Sequence, residues 1–302
     1  MKLREVKNKI NATQNIHDLT QALELIATMK ARKFKDLTLS SRPFAQKSIE
    51  ILTKLLQYKR EEEIDKRTEL NEQTKVKNSK KFLVIVFASD KGFCGVYNKN
   101  ILKYAEAEIE KLKNKAEIEL ITIGKKATKF FRDKNYKIRN EFLGEKKFEE
   151  KEITDELFNS LLEFYQKGEY QKIILLATHF TSFVQTPRII QIFPLDEENL
   201  KMIVKDIVGE KAISEKRIDY IFEPSFEEVY KEAIFQLMSA ELYYAILEAK
   251  TSEETSRMMA MKRATDNAED IIKDLTLEYN KARQVQITSE ISEITSAKEA
   301  VQ

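Results

Sequence analysis

The heptapeptide SDKGFCG at residues 89–95 is the one place in this sequence where a phosphate could sit. Gly-rich turns between a strand and a helix cradle anions on backbone N–H groups, but Gly92 and Gly95 match neither the dinucleotide G-x-G-x-x-G spacing nor the P-loop pattern, and no Lys-Ser/Thr pair follows. A tight strand-to-helix turn is the simpler reading. The two histidines are His17 and His179, and neither has a Cys or carboxylate at metal-ligand spacing. Cys94 has no nearby His to activate its thiol, and Glu61–Glu63 is a solvated charge run. General acid–base catalysis has no evident carriers, so the sequence predicts no catalytic residue, no metal and no bound cofactor.

The elements that would position these residues are unusually sparse in helix breakers. Of six Gly and four Pro in 302 residues, all but Pro43 fall between Gly92 and Pro224. In the first segment Val6, Ile10, Thr13, Ile16, Leu19, Leu23 and Ile26 recur every three or four residues. In the last, Met258, Met261, Ala264, Ala268, Ile271, Leu275, Tyr279 and Ala282 do the same, followed by Ile287, Ile291 and Ile294. The pattern predicts a helix over 2–58 and a second over 225–302, burying each other as an antiparallel coiled coil, with Ala22, Ala27, Ala264, Ala268 and Ala282 allowing close approach. At 1.5 Å per residue they span roughly 85 and 115 Å, so the second overshoots by about 30 Å and needs a socket for its apolar face.

Between them the sequence predicts strands at Phe82–Ala88 (FLVIVFA), Ile118–Ile123 and Lys172–Thr178, with helices after an N-cap at Asn98, near 125–134 and near 153–167. That alternation implies parallel βαβ units. Arg188–Pro194 and Arg217–Phe222 read as added antiparallel strands. The fold class is therefore α+β and α/β combined, divided as 1–58 helix, 59–81 charged connector, 82–224 α/β domain and 225–302 helix.

Charge excludes some partners. The net charge of +2 argues against nucleic acid, and one cysteine cannot form an internal disulfide. No apolar run approaches the roughly 20 residues that cross a bilayer. Residues 1–60 hold thirteen Lys or Arg against five Asp or Glu, either a solvated helix face or a surface complementary to an acidic partner.

Three segments carry a family resemblance: REVKNKINATQNIHDLTQALELIATMKARK near the start, ASDKGFCGVYNKNI in the centre, and SRMMAMKRATDNAEDIIKDLTLEYNKARQVQITSEISEI near the end. In this order they resemble the gamma subunits of F-type ATP synthases. The resemblance implies a non-catalytic rotor shaft that couples ion-driven rotation of a membrane ring of c subunits to the catalytic sites of the beta subunits. It implies a Rossmann-like α/β domain over 82–224 beside the coiled coil, and as partners three alpha and three beta subunits, the epsilon subunit and the c-ring. The lack of a transit-peptide pattern points to the cytoplasmic face of a bacterial inner membrane. It also implies roles for single positions. Leu23, Lys30, Arg32, Arg257, Arg283, Gln284, Thr288 and Glu290 match positions that contact the alpha-beta hexamer. Tyr220, Phe222 and Glu223 match the foot near the c-ring and epsilon. Leu23 stands where many members carry Met, and Val96 where a second Gly is usual. A coiled-coil scaffold and a nucleotide-binding enzyme on the α/β segment are the competing readings.

Overall fold

The computed structural model describes residues 3–63, 80–144, 151–181, 184–194 and 221–301. By contact the chain divides into a helix-pair unit (Met1–Met29, Phe93–Gly95, Thr255–Gln302) and a sheet unit (Lys30–Gly92, Val96–Glu254). Two long helices, α1 (Leu3–Glu63) and α5 (Phe226–Val301), contribute to both.

The sheet unit is built on five strands: β1 (Lys81–Phe87), β2 (Glu117–Ile123), β3 (Ile138–Phe142), β4 (Lys172–Thr181) and β5 (Val184–Phe193), in the order β3-β2-β1-β4-β5. β1 pairs in parallel with β2 and β4, β2 in parallel with β3, and β5 closes the sheet antiparallel to β4. The runs KFLVIVF and EIELITI are apolar at nearly every position because both faces are covered. Leu83, Ile85 and Phe87 join Ile121, Leu175 and Ala177 in one core with Leu157 and Leu161 of α4 (Lys151–Gln166), Leu52 of α1, and Leu237, Leu242 and Ile246 of α5. The alternate residues face α2 (Tyr97–Lys113) and α3 (Lys125–Asp133), where the Thr122 and Thr128 hydroxyls share a hydrogen bond of 2.8 Å.

Several local expectations are corrected. β3 is absent from the sequence reading because IRNEF, an exposed edge strand, lacks an apolar run. β4 continues to Thr181, so His179 lies within it, and β5 begins before Arg188. Asn98 does not cap α2: the N-cap is Val96, without a side-chain bond, and Asn98 sits inside the first turn. Its side-chain Oδ1 accepts from the Ser89 N–H at 3.1 Å and its Nδ2 donates to Ser89 Oγ at 2.7 Å, tying the helix back to the end of β1. Most of the strand expected at Arg217–Phe222 lies outside the described residues, and Ile221 and Phe222 are not in a strand.

In the helix-pair unit the two helices meet along a seam with alternating steps of three and four, antiparallel as the pattern predicts. Val6 and Ala27 are fully buried and Thr20 nearly so, and on α5 Met261, Thr265 and Ala268 are buried as well. Thr265 Oγ1 lies 2.9 Å from Thr20 Oγ1 across the seam. This register displaces part of the expected stripe. Ile16, Leu19 and Ile26 are 52–60 % exposed, Ile271 is 50 % exposed, and Ala22 points outward. His17, expected beside the stripe, instead lies in it, three residues before Thr20. A 3,4 repeat selects the seam by spacing, and small polar residues fit it where helices approach closely.

Candidate interaction surfaces and the filled crevice of the sheet

Open α/β sheets bind ligands beyond the carboxyl ends of their strands, where the strand order reverses. Here that point lies between β1 and β4, and α5 runs across it. Tyr97 Oη donates to the Ala249 carbonyl at 3.2 Å, Gln185 Nε2 donates to the Ser252 carbonyl at 2.9 Å, and the Lys250 ammonium stands 5.4 Å from the Phe87 ring centre. Residues Ala245–Thr255 are all buried. The loop after β1 is equally committed to the fold. Ser89 Oγ donates to the Lys91 carbonyl at 2.6 Å, while the Asp90 carboxylate accepts from the Lys125 and Gly144 N–H groups at 3.0 and 3.2 Å. Gly124 has φ +93°, and a Cβ there would stand 2.0 Å from the Ala88 carbonyl oxygen, so the close approach of this turn to the end of β1 requires glycine. Cys94 is buried, and its carbonyl accepts from Ser256 Oγ at 2.9 Å. The turn therefore packs against its own neighbours, and a helix occupies the place of a nucleotide.

Two buried charge groups hold the sheet unit together. At the amino ends of the strands, Glu119 accepts from Lys137 Nζ at 2.6 Å, Tyr170 Oη at 2.5 Å and Lys81 Nζ at 3.3 Å. Burial by itself would raise this carboxyl, but the three donors outweigh it and hold it at about 2. Burial and the Glu119 acceptor together push the Tyr170 phenol up. The second group joins His179 and Arg188 to Glu248 of α5, at 2.8 and 3.1 Å.

The residues singled out from the sequence fall into distinct settings. Arg283, Gln284, Thr288 and Glu290 share one exposed segment of α5, where Thr288 Oγ1 donates to the Gln284 carbonyl and Glu290 accepts from Gln286. Leu23 is half-buried in the seam and Arg257 is 8 % exposed. In the sheet unit, Arg32 is exposed and Lys30 lies 3.7 Å from the buried Glu254 carboxylate. Phe222 stacks edge-to-face on Phe226 at 5.2 Å, and Glu223 lines a groove of about 490 Å³ with Ser48, Ile51, Glu228 and Glu232. Tyr220 lies outside the described residues.

The sequence reading missed exposed apolar side chains that do not belong to any seam. On α1, Leu25 and Met29 are 63 and 66 % exposed beside Ile16, Leu19 and Ile26; on α5, Leu277 and Val285 are 61 and 71 % exposed. Large apolar residues outside the 3,4 repeat of a long helix were the available signal. The Thr20–Thr265 contact also sets how far α5 continues. Its register places Leu3 opposite Ala282, and α5 runs on to Val301, roughly 28 Å at 1.5 Å per residue. Past that point Val285, Ile287, Ile291 and Ile294 are 42–71 % exposed.

Among the described residues no group of His, Cys, Asp and Glu could hold a metal ion, and no helix is long and apolar enough to cross a membrane. The class is that of a long helix pair with exposed apolar ridges, joined in sequence to an α/β sheet whose crevice is filled by its own helix. Comparison places it further. The family described as ATP synthase matches residues 2–301. The ATP synthase gamma chain of Pelotomaculum thermopropionicum is 30 % identical over 301 residues, covering 99 % of each chain, and that of Ruthia magnifica 32 % identical over 305, again with 99 % coverage of each. The rotor of the Euglena gracilis mitochondrial ATP synthase, solved by cryo-electron microscopy, has the same fold, with a TM-score of 0.59 at 18 % identity, covering 94 % of this chain and 98 % of that one. The chain belongs to the ATP synthase gamma chain family.

Proposed function

We propose that this chain is the central rotating shaft of an F-type ATP synthase, a non-catalytic subunit that couples rotation of a c-ring to conformational change at the beta-subunit catalytic sites. The observation that carries the reading is the single-helix extension of α5, with Val285, Ile287, Ile291 and Ile294 exposed along it. A helix with bare apolar positions on a charged background needs a surrounding socket. A ring of three alpha and three beta subunits supplies one. An off-axis shaft in that ring makes different contacts with each beta subunit, and such differential contact biases one conformation over another.

In this reading Arg283, Gln284, Thr288 and Glu290 of the helix-pair unit, with Lys30 and Arg32, face the alpha-beta hexamer, and Leu23 and the buried Arg257 bear on that contact from within the helix pair. Tyr220, Phe222 and Glu223 face the c-ring and epsilon. The shaft stands at the cytoplasmic face of a bacterial inner membrane, attached through the c-ring. Gentle purification of the tagged chain from solubilised membranes, with subunit counting by native mass spectrometry, tests this. The expected result is one copy with three alpha, three beta, epsilon and a c-ring; recovery as a homodimer without those partners would overturn it.

A further inference from the structure

Within the sheet unit α5 is held to the sheet by charge as well as by apolar packing. Arg188 of β5 lies between Glu241 and Glu248, which are seven residues, two helical turns, apart on α5. Its Nη2 is 3.1 Å from Glu248 Oε2 and 3.5 Å from Glu241 Oε1. His179 of β4 reaches the same Glu248 oxygen with Nδ1 at 2.8 Å. The Glu241 and Glu248 side chains are each 3 % exposed. Arg188 pairs across the sheet with Ala177, a core residue two positions from His179, so both basic side chains spring from the face that α5 covers. Further along α5, Gln185 donates to the Ser252 carbonyl and Lys30 of α1 approaches Glu254.

We infer that Arg188, Glu241, Glu248 and His179 are positioning residues that fix the register of α5 on the sheet, so that torque entering the sheet unit passes into the helix without slip. From Leu237 to Ala249 the buried α5 residues other than Glu241 and Glu248 are apolar, among them Leu237, Met238, Leu242 and Ile246, whereas Lys250–Glu254 beyond them are polar and buried. Apolar packing is strong but non-directional, and helices on such contacts shift by an ångström or two, or ratchet by a turn, between packed arrangements. A guanidinium held between two carboxylates on one helix face has no equivalent arrangement after either kind of shift. Buried ion pairs are also poor sources of net stability compared with apolar side chains of similar size. Three charges and a histidine set among the apolar residues of this stretch are therefore explained by position better than by stability. A rotor shaft is a setting in which slip at this contact would waste rotation. The inference rests on the rotor reading above.

The test uses the intact complex, in detergent and in vesicles, with the triple substitution Arg188→Met, Glu241→Leu and Glu248→Leu. Replacing the arginine and both carboxylates together leaves none of the three facing the others' absence as a lone buried charge, so assembly and melting temperature should be retained. Two readouts then decide: the torsional stiffness of the rotor, from the angular fluctuations of an attached bead, and the ions pumped per ATP against an opposing gradient. The expected result is a loss in both, with ATP hydrolysis under no load unchanged. A triple-variant complex as stiff and as tightly coupled as the parent would overturn the inference. Should the triple variant not assemble, Glu248→Gln, which removes one charge at constant shape, decides on the same readouts. A parent chain that never enters a rotating complex would instead refute the rotor reading, so the two failures are distinguishable.

Discussion

Replacing Glu119 by Gln should remove a pH-dependent share of the stability of the sheet unit whose size follows from its surroundings. The Glu119 side chain is 7 % exposed and accepts from Lys137, Tyr170 and Lys81, with Arg139 Nη1 at 3.9 Å. Burial acts to raise its pKa, and the donors overcome this to hold it at about 2 against 4.5 in the unfolded chain. A folded pKa below the unfolded one means that the native state favours the ionised form. The stabilisation is then complete above about 4.5 and is lost as the pH falls through about 2. The shift corresponds to roughly 3 kcal/mol at neutral pH, or on the order of 6–10 °C in melting temperature for a unit of this size. Thermal unfolding of the purified parent and of Glu119→Gln, followed by circular dichroism from pH 7 to pH 2.5, checks it. The gap between the two should close to under about 1 kcal/mol at pH 2.5. A gap of the same size at both ends of the range would show that Glu119 acts through shape and packing, and the electrostatic reasoning would be wrong.

Other outcomes follow from the same geometry. Gly124→Ala should destabilise the sheet unit by about 2 kcal/mol or more, because the new methyl meets the Ala88 carbonyl oxygen at a positive φ; an unchanged melting temperature would contradict the close approach. Thr20→Val should cost about 1–2 kcal/mol, while Thr20→Val with Thr265→Val should cost less than the two singles added, since no seam hydroxyl loses its partner across the interface. Additive losses in that double-mutant cycle would remove the Thr–Thr contact as a register pin. Ile291→Asp with Ile294→Asp should leave the unfolding of the free chain within about 0.5 kcal/mol of the parent, both side chains being mostly exposed, yet reduce recovery of alpha and beta subunits with the tagged chain. Undiminished recovery would show that the extension of α5 has no socket.

The sequence by itself determined the two terminal helices and the three inner strands. Each rests on a local signal: an uninterrupted 3,4 repeat or a run such as FLVIVF. It also carried the family, because the two terminal segments and the loop after β1 are distinctive in themselves. Tertiary structure decided what local patterns leave degenerate. Ile16 and Leu19 fit a helical stripe as well as His17 and Thr20 do, and only the partner helix chose the second pair, through a register that seats small polar residues at close approach. β3 became a strand because β2 offered it an edge, not because IRNEF prefers that state. His179, Arg188 and Glu248 are separated by up to 69 residues, and no spacing rule joins them; the crossing of α5 over β4 and β5 does. That same crossing filled the crevice in which a sheet of this order binds its ligand. Local periodicity sets which face of an element is apolar, whereas the choice of which face meets which partner is a property of the packed chain.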